Sequence, residues 1–156
     1  MADWERSKHT AFDAAQGDRD RTLAAVHQLE GALSRAAGGE GWIADLRTSL
    51  DTLQGAMSEE QRELTRPDSL LAMVTAEHPR RFRPRVRGIR EQYDDIIRQL
   101  GTFRRELDGF EFSITDIGDL RQRARWIILA LQNCRNRQAD LVFDALRLDL
   151  GAGSHD

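Results

Sequence analysis

Four residues that could bind or react lie at positions where the helical spacing of this sequence otherwise places apolar side chains: Glu60, Tyr93, Cys134 and Gln138. A carboxylate, a phenol, a thiol and a carboxamide can each bind a polar ligand, and the first three can also ligate a metal ion. His27 lies beside the apolar positions of its own helix and is a further candidate. Buried polar groups require hydrogen-bond partners, so this set predicts a remodelled core site.

Each candidate also has an ordinary structural interpretation. A lone tyrosine such as Tyr93 usually packs its ring and points its hydroxyl at a partner, and a lone Cys134 behaves as a small buried hydrophobe. Gln138 fits a place where the core opens to water, and Glu60 lies close enough to its helix end to extend outward. His27 fits the flank of its helix.

The elements that must position these residues are helices, because apolar residues recur at helical spacing and no segment alternates with a period of two. The first two stripes are Leu23, Val26, Leu29, Leu33 and Ala36, then Ile43, Leu46, Leu50, Leu53, Met57 and Leu64. The third is Val86, Ile89, Tyr93, Ile96, Leu100, Phe103, Leu107 and Phe110. The fourth is Ile117, Leu120, Ala124, Ile127, Leu131, Cys134, Gln138, Leu141, Ala145 and Leu148.

Breaking and capping residues predict where these helices begin and end. Gly17 is expected to kink or break the first helix, which leaves about residues 1–17 as an N-terminal extension. Pro84 is expected to start the third helix, because a first-turn proline loses no hydrogen bond. Ser113 or Thr115 is expected to cap the fourth helix, which should end before Gly151.

A short extra helix is expected between the second and third long helices. Pro67 ends the second helix, Asp68 is suited to cap the short one, and Leu70, Leu71 and Val74 give it one apolar face. It should end before Pro79.

Four long helices with short connections are typical of an all-α, antiparallel up-and-down four-helix bundle. We expect residues 1–150 to form one such domain and residues 151–156 to form a frayed tail. If the third and fourth helices are antiparallel about a turn near Ser113, Tyr93 lies opposite Cys134, and Ile89 lies opposite Gln138.

Composition excludes several classes of function. The net charge of −3 argues against general nucleic-acid binding, and a single cysteine excludes an internal disulfide. No apolar run is long enough for a membrane helix, and no signal-peptide core is present, so a cytoplasmic location is expected. The sequence lacks the phosphate-loop, catalytic-triad, H-E-x-x-H and C-x-x-C motifs, which disfavours an enzyme.

One dense basic run precedes the third helix, and its anion-binding candidates are Arg81, Arg83 and Arg85. Cations beside a helix N-terminus favour an anion, such as a phosphate-bearing partner or an acidic protein surface. The alternative is a solvated basic connector between helices.

Several short segments between residues 66 and 151 resemble a known family. Residues 135–145 (RNRQADLVFDA) and 148–151 (LDLG) are similar to the end of hemerythrin-like, or HHE cation-binding, bundles of high-GC bacteria. Residues 66–71 (RPDSLL), 78–80 (HPR) and 84–86 (PRV) resemble the family's segment between its second and third helices.

Hemerythrin-like proteins hold two irons with histidines and carboxylates, and they bind oxygen or sense oxygen or redox state. By this resemblance the fourth-helix histidine falls at Cys134, and the third-helix histidine falls at Tyr93. The second helix offers acids such as Glu60 but no histidine, which leaves His27 as the one surviving candidate ligand.

The resemblance therefore implies a divergent bundle that has lost the standard di-iron site and holds no cofactor. Its expected function is to bind a small molecule or a protein partner, and a homodimer is one form of the latter. The alternative is a redox or oxygen sensor that holds non-haem iron or haem in a rebuilt site. The candidate ligands are then His27, Glu60, Tyr93 and Cys134.

Overall fold

The computed structural model describes residues 3–35, 40–108 and 114–153, and these residues form helices without any β-strand. The helices are α1 (Asp3–Ser34), α2 (Glu40–Thr65), α3 (Leu70–Glu77), α4 (Pro79–Leu107) and α5 (Ile114–Gly153). The prediction of an all-α chain with four long helices is confirmed, and the short α3 lies between α2 and α4. None of the described helices is long and apolar enough to cross a membrane.

Helix α1 continues through Gly17, so the predicted kink or break is wrong. A glycine inside a helix costs only about 1 kcal/mol, and tertiary packing supplies most of the stability of a protein helix. Ala11 and Asp18 on either side of Gly17 are buried, so packing holds both halves of α1 in one helix.

Helices α3 and α4 both begin at residues other than the predicted ones. The N-cap of α3 is Ser69 rather than Asp68, and the Ser69 hydroxyl accepts a hydrogen bond from the Ala72 amide at 3.2 Å. Helix α4 starts at Pro79, so Pro84 lies inside it and the basic run is helical rather than a connector. Phe82 is fully buried, and the earlier start places it one turn before the next core residue.

Helix α5 extends beyond its predicted end, because Gly151 lies within it. Thr115 falls in the first turn of α5, whereas Ser113 lies outside the described residues. Of the predicted tail, residues 151–153 are helical, and residues 154–156 lie outside the described part of the chain.

The helices enclose one apolar core. Helix α1 packs against α2 and α3, α2 packs against α4, and α4 packs against α5. The largest fully buried side chains are Tyr93, Phe82, Phe103, Leu29, Leu46, Leu50, Leu53, Met57, Ile89, Ile96, Leu100 and Leu107.

Arginines from other helices bind the last carbonyls of three helices. These carbonyls have no partner within their own helix, and the helix dipole favours a cation beside them. Each arginine therefore stabilises a helix end and ties it to a second helix. The three hydrogen bonds join Arg121 to the Arg35 carbonyl after α1, Arg90 to the Leu64 carbonyl of α2, and Arg47 to the Leu107 carbonyl of α4.

The substitution Arg121→Gln should lower the free energy of unfolding by about 1 kcal/mol relative to Arg125→Gln. Both remove one positive charge from α5, but only Arg121 binds a helix-end carbonyl and stacks 5.8 Å from the Trp42 ring centroid. Chemical denaturation of the two variants measures the difference, and equal unfolding midpoints would contradict this role.

Candidate functional site

A buried carboxylate from α2 lies at the centre of the site. Glu60 is only 2% exposed, and its Oε2 atom accepts hydrogen bonds from the Tyr93 hydroxyl at 2.6 Å and the Thr22 hydroxyl at 2.7 Å. Burying a carboxylate is costly unless hydrogen bonds compensate for the lost water. The two bonds therefore offset that cost and join α1, α2 and α4 at one oxygen atom.

Thr22 belongs to the site although it was not among the predicted residues. Its hydroxyl also lies 3.1 Å from the Asp18 carbonyl, but a hydroxyl carries a single proton, and the shorter contact to Glu60 is the stronger one. Leu23, which was assigned to the apolar stripe, is instead 44% exposed. Stepping back seven residues from the buried Leu29 would have identified Thr22.

Helix α5 brings a thiol and a carboxamide to the same region. Cys134 is fully buried, and its Sγ atom lies 3.9 Å from the Ile89 carbonyl oxygen of α4. Burial raises the pKa of the Cys134 thiol to about 11. The positive charge of Arg137 lowers this pKa, and the negative charge of Glu60 raises it. The thiol is therefore neutral at physiological pH.

Tyr93 is held in its protonated form by the same surroundings. Burial raises the pKa of its hydroxyl far above the ordinary value, and the charge of Glu60 and the hydrogen bond to it act in the same direction. Tyr93 is consequently a permanent hydrogen-bond donor to Glu60.

Oε1 of Glu60 is buried without a hydrogen-bond partner among the described residues. The buried Nε2 of Gln138 has no partner of ordinary hydrogen-bond geometry there, but the Gln138 side chain reaches the Cys134 thiol, and its hydrogen bond lowers the pKa of that thiol. Both side chains lie near enough to Cys134 to influence the pKa of its thiol. Such unsatisfied groups are rare in folded proteins because each costs about 1–3 kcal/mol. The site thus offers one acceptor and one donor to a small polar molecule.

The structure places His27 away from these residues. Its side chain is 67% exposed and lies 3.9 Å from a carboxylate oxygen of Glu30, on the surface of α1. Within residues 3–35, 40–108 and 114–153, no three His, Cys, Asp or Glu side chains are grouped to hold a metal ion. Of the four candidate metal ligands, only Glu60, Tyr93 and Cys134 come together in the core.

The structure divides the three anion-binding candidates, because the basic run is helical: Arg81 and Arg85 share one face of α4 and both lie over the Phe82 ring, whereas Arg83 points elsewhere. Arg81 lies over the Phe82 ring, 5.9 Å from its centroid. Arg85 is committed to an ion pair with Asp144 at 2.7 Å. Arg83 faces a separate groove between α3 and α4.

Comparison with protein-family models, with curated proteins and with solved structures gives no match for this chain. The resemblance to hemerythrin-like bundles therefore depends on the quoted sequence segments alone.

Removing either hydroxyl that binds Glu60 should destabilise the fold. Tyr93→Phe and Thr22→Val should each lower the free energy of unfolding by about 1–3 kcal/mol, since each leaves a buried carboxylate with one donor. Denaturant unfolding of the single and double variants gives the interaction energy between the two substitutions. This energy should be about 0.5 kcal/mol or more, because both donors share one oxygen.

Thr52→Val is the matched control for the threonine. The Thr52 hydroxyl is exposed and bonds only the carbonyl one turn earlier, that of Thr48. This variant should change stability by less than about 0.5 kcal/mol, and additive effects of the two core substitutions would contradict a shared acceptor.

The buried thiol predicts a loss of stability at alkaline pH. Above about pH 9 the unfolded thiol loses its proton, whereas the folded Cys134 keeps its proton until its pKa of about 11. The free energy of unfolding should therefore fall across this interval, by roughly 2–3 kcal/mol from this group. Urea unfolding at several pH values should show a shallower decline for Cys134→Ala, and identical slopes would contradict the assignment.

Proposed function

We propose that this chain is a divergent hemerythrin-like protein with an antiparallel, up-and-down four-helix arrangement. Contacts between long helices support this arrangement. From one contacting pair to the next, the residue number rises in one helix and falls in its partner, as in antiparallel helices. These pairs are Arg35 with Asp45 and Thr22 with Glu60 for α1 and α2, and Glu106 with Arg123 and Arg85 with Asp144 for α4 and α5.

The proposed function is to bind a small, uncharged polar molecule in the core. The observation that carries it is the buried, unpartnered Oε1 of Glu60, with the Gln138 carboxamide and the Cys134 thiol beside it. A carboxylate oxygen accepts a hydrogen bond and an amide nitrogen donates one, so a matching ligand carries both a donor and an acceptor. A primary amide or an alcohol has this chemistry.

The protonation and hydrogen bonding of the site suit such a ligand. Burial raises the pKa of both Cys134 and Tyr93, so without a metal ion both groups are protonated hydrogen-bond donors. The oxygen Oε2 of Glu60 is already bonded to two hydroxyls. The residues of the rebuilt site are thus arranged for hydrogen bonding.

Binding a protein partner is the second candidate function, and the surface of α5 favours it. Trp126, Leu129, Phe143 and Leu146 are large hydrophobic residues that are about half exposed or more. Exposed apolar side chains that adjoin one another mark interaction surfaces, and Trp126 with Leu129 and Phe143 with Leu146 are pairs three residues apart on the helix. If the partner is a second copy, light scattering should give a mass above that of one chain.

The core-site proposal predicts a protein without bound metal that responds to a small amide. Elemental analysis should give far less than one metal ion per chain, with no visible absorption band. In NMR titrations, acetamide should perturb the amide signals of Glu60 and Gln138. The variant Gln138→Met, which keeps the size but removes the donor, should abolish that perturbation.

Near-stoichiometric iron, or a haem absorption band, would overturn this proposal in favour of the metal-binding alternative. In that case Tyr93→Phe and Cys134→Ala should release the metal. An acetamide response that persists in Gln138→Met would place the ligand elsewhere in the protein.

A further inference from the structure

A groove of about 540 Å³ lies between α3 and α4, and none of the residues of the Glu60 site lines it. Its α3 wall consists of the small side chains Ala72, Thr75 and Ala76, which leave room beside α4. The volume falls within the range of small-molecule sites in proteins.

Three arginines line the α4 side of this groove. Arg83, Arg87 and Arg90 follow one another at intervals of four and three residues, which places them on one face of the helix. Arg83 and Arg87 are exposed and form no ion pair or hydrogen bond with the residues that the structure describes. Arg90 donates from Nη2 to the Leu64 carbonyl, while its Nε atom is buried without a described partner.

Some other surface arginines, such as Arg6 and Arg80, also have no carboxylate partner among the described residues, but Arg83 and Arg87 in addition line a groove. Other arginines are paired. Arg35, Arg62 and Arg104, for example, each bind a carboxylate within 2.7–2.8 Å. Unpaired guanidinium groups one helical turn apart repel each other by a few tenths of a kcal/mol. An anion between Arg83 and Arg87 would replace this repulsion with attraction.

Two carboxylates line the groove on the C-terminal side of these arginines, the first of them one helical turn after Arg87. Glu91 and Asp94 line it there, and Asp94 accepts a hydrogen bond from Gln61. The rise of an α-helix separates Arg90 from Asp94 by about 6 Å and Arg83 from Arg90 by about 10 Å. A ligand that fits is therefore anionic at one end and carries hydrogen-bond donors at the other.

We propose that this groove binds a phosphorylated polyhydroxy compound, such as a sugar phosphate. Its phosphate lies between Arg83 and Arg87, because guanidinium groups bind phosphate oxygens through paired, charge-assisted hydrogen bonds. Its hydroxyl groups donate to the carboxylates of Glu91 and Asp94. This site is independent of the core site and of its proposed ligand.

The test is an NMR titration of the full chain with glucose 6-phosphate, with orthophosphate and glucose as comparison probes. Glucose 6-phosphate should bind more tightly than either comparison probe and should perturb signals in residues 72–76 and 83–94. Arg83→Gln and Arg87→Gln should each weaken its binding by about fivefold or more. Both side chains are exposed, and circular dichroism checks that the variants remain helical.

Arg81→Gln is the matched control, because it removes the same charge from the same run outside the groove. It should change the affinity by less than about twofold. An equal loss in Arg81→Gln would assign the binding to diffuse positive charge and overturn the site. Binding of orthophosphate as tight as that of glucose 6-phosphate would overturn the polyhydroxy class, and no response to glucose 6-phosphate would overturn the proposal altogether.

Discussion

The buried carboxylate of Glu60 is the constraint on which the arrangement of the core depends. A desolvated carboxylate must be compensated by hydrogen bonds, and both of its described donors come from other helices, Thr22 of α1 and Tyr93 of α4. Neither helix can rotate or slide along α2 without breaking a bond to that oxygen. The carboxylate therefore fixes the relative register of three helices, which apolar contacts alone specify less strictly.

Arginine side chains supply a second set of constraints at the periphery. An apolar core holds helices together without fixing their ends, whereas a guanidinium bound to the last carbonyls connects an end to a particular neighbour. Arg47, Arg90 and Arg121 do this for α4, α2 and α1. The long, multidentate side chain suits this role, since its stem spans the gap between helices and its head satisfies the carbonyl.

The sequence predicted the helices well because strong periodicity reports which face is buried. Glu60, Tyr93, Cys134 and Gln138 interrupted that periodicity, so they could be identified from spacing. Thr22 could not be identified in this way, because Thr22 and Asp18 make this part of the buried face of α1 polar. A search for apolar residues at helical spacing then assigns the exposed Leu23 to the buried face instead. The start of α4 could not be predicted from capping residues alone. The helix begins before Pro84, and the added turn contains Phe82, whose burial depends on tertiary packing.

The helical state of the basic run changes what its arginines can do. The basic run of Arg81, Arg83 and Arg85 predicts an anion site only if it precedes a helix N-terminus. On a helix, residues two apart point about 200° apart, and residues at intervals of three and four share a face. The run is thereby divided: Arg85 stabilises the contact with α5 through Asp144, while Arg83 joins Arg87 and Arg90 in the groove. Arg83 and Arg87 bind no described carboxylate, and their place beside the groove is the feature from which ligand binding is proposed.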